Sequence, residues 1–83
     1  MTVVVETSGS RTYVGRYDRA DQLGVHLLDV GVHDAGSGTD KGHYIGRSAK
    51  FGIKTEYRHL TVAPEEVVRI TQLASWDATP SRG

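Results

Sequence analysis

Apolar residues in this chain fall in short runs broken by glycine, serine and aspartate, and no run keeps a 3.6-residue apolar period for three turns. Val3-Val4-Val5 is β-branched and stops at Ser8-Gly9-Ser10, which predicts a first strand over residues 2–7. Residues 11–17 alternate, with Tyr13, Gly15 and Tyr17 on one face and Thr12, Val14 and Arg16 on the other. The short Ser-Gly-Ser link makes these two strands a hairpin. Gly15 within a strand predicts a bend or a close backbone approach, as closure of a small barrel requires. Residues 18–22 are polar and read as a loop. Residues 24–33 form the longest strand candidate, with Val25, Leu27, Leu28, Val30 and Val32. Leu27 and Leu28 point to opposite faces, so burial on both sides is expected.

Residues 34–43 (DAGSGTDKGH) are polar and glycine-rich, a loop signal. Residues 44–55 (YIGRSAKFGIKT) carry Tyr44, Ile45, Phe51 and Ile53 among glycines and read as an irregular hairpin or extended arm. Two last strands are expected over 57–62 and 67–73, joined tightly at Ala63-Pro64-Glu65-Glu66, where Pro64 fixes its own backbone. The organisation expected is one domain over 1–73, with an extended loop or hairpin at 34–56 and a polar tail over 74–83 that holds Trp76. Short strands at this spacing predict an all-β barrel or sandwich. No repeat of fixed period is visible.

The length of 83 residues allows one domain with a thin core. Domains this small draw extra stability from disulfides, metals or self-association. The chain has no cysteine, which removes disulfides and cysteine-ligated zinc and leaves self-association. Ten basic residues balance ten acidic ones, so no strong overall field steers the molecule toward polyanions. The start of the chain has no basic flank and only a short apolar run, and nothing approaches the ~20 apolar residues of a membrane span. A cytoplasmic protein with no membrane partner is the expectation.

The order of these signals resembles the Sm and LSm family. Residues 3–17 are similar to its first signature: a strand, a turn with glycine, then a hydrophobic-glycine step. Asp21 falls at the family's loop aspartate, and Leu27-Leu28-Asp29 at its hydrophobic-hydrophobic-acid step. Leu60-Thr61-Val62 and Val67-Val68-Arg69-Ile70 resemble the second signature. The resemblance implies a small, strongly bent, five-stranded SH3-like/Sm-like barrel with a long connection between strands 3 and 4. It also implies homo-oligomeric rings of about six or seven copies, the fourth strand of one pairing with the fifth of the next, which would satisfy an open sheet edge. Leu60, Val62, Val67, Val68 and Ile70 are then the interface candidates.

The chain departs from that pattern in four places. It starts in strand with no room for the family's first helix. Val25, after Gly24, stands where the family's uracil-gripping asparagine would be, and Ala63-Pro64 replaces its arginine-glycine pair. The third connection, 34–56, is long. The second and third changes remove planar groups that read a base edge, so uridine specificity is not expected.

The stretch 41–58 concentrates Lys41, Arg47, Lys50, Lys54 and Arg58 against one acid, Glu56, with Tyr44, Phe51 and Tyr57 interleaved. Such a strip holds RNA or single-stranded DNA by phosphate neutralisation and stacking. By the resemblance, Asp21 and His26 lie at the pore-facing loop and join the nucleic-acid candidates. Against this stands a plain solvated loop whose aromatics fill the core. His26, His33, His43 and His59 show no metal-ligand spacing, and His26 and His33, seven apart, point to opposite faces of a straight strand. Asp18, Asp21 and Asp29 show no paired-carboxylate context, and Asp21 reads as a turn-fixing acceptor. Gly36-Ser37-Gly38 is not a phosphate loop, because no helix is predicted after it. No cofactor, metal or enzymatic activity is expected. Three functions follow: a ring-forming binding module for RNA or single-stranded nucleic acid, a structural ring subunit without nucleic acid, or a monomeric SH3-like peptide adaptor.

Overall fold

The computed structural model describes residues 1–76. Five strands build one antiparallel sheet: β1 (Thr2–Thr7), β2 (Arg11–Asp21), β3 (Gly24–Asp34), β4 (Tyr57–Val62) and β5 (Val67–Gln72). Their order is β4-β3-β2-β1-β5, so β4 and β5 are the outer strands and the sheet is not closed. One helix, α1 (Lys41–Phe51), lies between β3 and β4, and 3-10 turns occupy Ala35–Ser37, Pro64–Glu66 and Leu73–Ser75. The protein is therefore mostly β, with one helix where an irregular arm was expected. Part of the tail expected over 74–83 lies outside the described residues.

The apolar run in β1 is continuous because both faces of the sheet are covered. Val3 and Val5 join Tyr13, Val25, Leu27, Val30 and Val62 on one side, where Val32, Leu60 and Val67 pack against them. Val4 meets Val14 and Ile45 on the other, beneath Tyr44, Ile53, Leu73 and Trp76. Each fully buried valine contributes roughly 1.5–3 kcal/mol relative to exposure. The helix and the Leu73–Trp76 segment thus act as a lid on the second face, and this is where Trp76 belongs.

The bend predicted at Gly15 is where β2 and β3 lose register, between Val14 and Arg16. A Cβ at Gly15 would stand 3.0 Å from Val30 Cγ2 and 3.1 Å from the Leu28 carbonyl oxygen. Opposite it, Asp29 takes a left-handed φ of 51° and forms the extra residue of a bulge. This residue resets the alternation, so Val25 and Leu27 before it and Val30 and Val32 after it face one core. The same reset returns His26 and His33 to one side of β3, correcting the opposite faces expected of a straight strand.

The expected loop over 18–22 is also corrected. β2 continues to Asp21, across from Gly24, and only Gln22-Leu23 turn. Asp21 Oδ1 accepts the Leu23 N–H at 2.9 Å, the turn-fixing role read from sequence. Gly24 has φ 131°. A Cβ there would overlap the Val62 carbonyl, so only glycine lets β3 start against the end of β4.

Helix α1 is defined by its ends. Asp40 is the N-cap and its carboxylate accepts the His43 N–H at 3.1 Å. Gly52, at φ 95°, closes the other end by donating its N–H to the Ser48 carbonyl. Lys50 lies in the last turn, where a cation complements the helix dipole. Ile45 is fully buried, and Tyr44 Oη sits above Gly31, where a Cβ would come within 2.5 Å of it. A helix does follow Gly36-Ser37-Gly38, contrary to expectation, but its N-terminus is occupied by the Asp40 carboxylate.

Candidate functional site

At the β2–β3 turn, Asp21, His26, His59 and Thr61 form one hydrogen-bonded array. β3 and β4 place His26 across from Thr61, and Leu28 across from His59. His26 is 3 % exposed. Its Nε2–H donates to Asp21 Oδ1 at 2.8 Å. Its Nδ1 faces Thr61 Oγ1 at 3.0 Å and His59 Nε2 at 3.3 Å. A carboxylate can only accept, so the proton on a neutral His26 is on Nε2 and Nδ1 accepts. The His26 and His59 rings stack, with centroids 5.5 Å apart and planes 11° from parallel.

The His26 N–H, followed by the Leu23 N–H and the nearby Arg19, holds the Asp21 carboxyl below its ordinary range. The carboxylate–imidazole–hydroxyl order is that of a hydrolytic relay, but five of the best-formed surface clefts lie elsewhere. The array has no adjoining cavity among them in which a substrate would meet Thr61. Both ring nitrogens of His26 are engaged and its ring is buried. The ring therefore presents no exposed face on which a base could stack. No group of three or more metal-ligating side chains converges among the described residues.

A second polar contact seats the helix. His33 is buried, donates Nε2–H to the Thr39 carbonyl and lies 5.3 Å from the Tyr44 ring. Burial, followed by the charge of Glu56, raises the Tyr44 hydroxyl above its ordinary pKa.

The basic candidates divide in two. Lys41 is spent within the fold: its Nζ donates to Glu6 Oε2 at 2.8 Å, while Arg69 Nε holds the other oxygen of the same carboxylate at 2.9 Å. Arg11, Arg16 and Arg19 are likewise paired, with Asp34, Asp29 and Asp21. Arg47, Lys50, Lys54 and Arg58 are exposed and form no ion pair among the described residues. Arg47 and Lys50 share a shallow cleft on α1 with His43 and Phe51. Arg47 and Phe51 also border a deeper one of about 290 Å³, with Lys54, Ser48 and Thr39. Phe51 is 72 % exposed, and Lys50 Nζ lies 5.5 Å from its ring centroid. Arg58 is on β4 and borders neither cleft.

The interface candidates also divide. Val62 is 1 % exposed and belongs to its own core, with Leu60 and Val67 packed beside it. Val68 and Ile70 are 66 % and 40 % exposed on the outer strand β5, and Tyr57 is 47 % exposed on β4.

Sequence reasoning missed His59 and Thr61 as partners of His26. Their i, i+2 spacing in a predicted strand was a usable signal, but the register that brings them to His26 was not visible. Of the three aromatics read as interleaved with the cations, Tyr44 packs against the core and Phe51 and Tyr57 are exposed, Phe51 the more so. No known protein family, curated protein or solved structure matches the chain. No helix among the described residues is long and apolar enough to cross a membrane.

Proposed function

We propose that this chain is a self-assembling Sm-like module, β4 of one copy pairing with β5 of the next, and that the assembly binds single-stranded nucleic acid. The observation that carries this reading is the strand order. It leaves β4 and β5 as the two outer strands of a single bent sheet, each paired on one edge only. An unpaired strand edge is a standing template for another chain, and β5 adds exposed Val68 and Ile70 to it. The kink at Gly15 and Asp29 and the order of the two signature-like stretches support a strongly bent Sm-like barrel. Pairing with an identical copy would cover both edges at once, with closed symmetry.

The hairpin end favours one alternative, a structural ring without nucleic acid, since Val25 stands at the place of the resembling family's base-gripping asparagine and the neighbouring His26 is buried and hydrogen-bonded. The experiment is light scattering on purified protein, with the 260/280 absorbance ratio of the same sample. The expected result is a mass several times that of the 9.0 kDa chain, reduced toward one chain by Val68→Asp with Ile70→Asp. A 9.0 kDa species at every concentration would overturn the assembly. A large species that neither carries nor binds oligonucleotide would select the structural ring.

A further inference from the structure

We infer that the nucleic-acid surface is the outer face of α1 and the segment after it, not the hairpin end, and that its ligand is single-stranded RNA bound without base specificity. This rests on the nucleic-acid reading above and deepens it. The zero net charge conceals a segregated surface, because ion pairs neutralise Arg11, Arg16, Arg19, Lys41 and Arg69 where they stand. Of the four cations left over among the described residues, Arg47, Lys50 and Lys54 border the clefts at the one phenylalanine, which is strongly exposed, and Arg58 stands apart on β4. Spaced cations beside an exposed aromatic face match a strand that offers a phosphate and an unstacked base at each step. A duplex keeps its bases stacked and offers Phe51 nothing.

Neither cleft is bordered by Asn, Gln, Asp or Glu. The amide and carboxylate side chains that read adenine and cytosine edges are therefore missing, and stacking is indifferent to sequence. The choice of RNA comes from the deeper cleft. Ser48 Oγ donates to the Tyr44 carbonyl at 3.1 Å, which leaves its lone pairs to accept. The exposed Thr39 hydroxyl, with Ser48 lining the same cleft at 6 % exposure, gives it a partner for a ribose 2′-OH.

The test is fluorescence anisotropy with labelled oligo(U), oligo(A) and oligo(dT) of equal length across a salt series, on samples of measured mass. The two RNAs should bind alike and the DNA more weakly. Three phosphate contacts give a log–log salt slope of about −2, and Lys50→Glu should flatten it by about 0.7. Phe51→Ala, a change at an exposed position, should weaken binding about tenfold. Asp21→Asn should leave it unchanged. No binding at low salt, indifference to Phe51→Ala, equal affinity for DNA, or loss of binding in Asp21→Asn would each overturn the inference. A ring that ignores RNA but binds oligo(dT) sinks this inference alone, whereas a ring that binds neither sinks the nucleic-acid reading with it. A 9.0 kDa chain that binds RNA with these dependences sinks the ring and leaves the surface standing.

Discussion

Glu6 is the residue that ties the most distant parts of the chain together. Its side chain is 14 % exposed and is gripped by Lys41 from α1 and Arg69 from β5. Burial alone would raise its carboxyl pKa, but hydrogen bonds from Lys41 and Arg69, with their charges, outweigh burial and the net direction is down. A carboxyl lowered in the folded state stabilises the fold above its unfolded pKa, and that stabilisation disappears as pH falls through the folded value. Melting temperature should therefore drop as pH goes from about 5 toward 3. Glu6→Gln should lower stability near neutral pH by about 1 kcal/mol, discounted for the exposure of both cations, and should flatten the acid limb. A thermal-melt series in pH on both proteins checks it, and parallel curves would refute the role. Gly24 makes a sharper claim at the same scale. A side chain there meets the Val62 carbonyl at a backbone angle that L residues avoid, so Gly24→Ala should destabilise by about 2 kcal/mol or more in urea unfolding.

Among the elements, α1 is held by its caps and by one buried anchor. Gly42 and Gly46 lie inside it, and each costs about 1 kcal/mol against alanine. Isolated helices this short are marginal in water, so packing on the sheet supplies most of the stability. Ile45→Ala should cost about 2–5 kcal/mol and Asp40→Ala about 1 kcal/mol. Amide hydrogen exchange should show α1 opening before the strands in both variants. This also explains why the strands were legible in the sequence and α1 was not. Val3-Val4-Val5 and Val67-Val68-Arg69-Ile70 declare themselves by β-branching alone. The helix offers one deeply buried apolar side chain, a buried face limited to Tyr44, Ile45 and the small Ser48, and two glycines, and what seats it is packing on Val4 and Val14. The bulge at Asp29 was equally hidden, because a single left-handed aspartate leaves no trace in a hydrophobic pattern. Of the candidate site, Arg47, Lys50 and Lys54 were readable as a charge run. That Lys41 was already committed to Glu6, 35 residues away, and that His26 was buried, depend on pairings that only the folded sheet creates.

For the whole molecule the question is how 83 residues keep two sheet faces covered and two strand edges open. A chain of this size buries a smaller share of its surface than larger domains do and is correspondingly marginal alone. If β4–β5 pairing between copies completes the fold, stability is linked to concentration, since association binds the folded state and not the unfolded one. Melting temperature should then rise with protein concentration over two to three decades. Val68→Asp with Ile70→Asp should lower it and remove the dependence, because the pairing would then have to bury two carboxylates in place of two apolar side chains, while each position is already exposed within its own subunit. The same pair of changes at a surface unrelated to assembly would shift stability by no more than about 0.5 kcal/mol each. Calorimetry across the dilution series separates the two cases. A melting temperature indifferent to dilution in the unmodified protein would mean that the chain closes its own energy balance as a monomer, with both outer strands left to water.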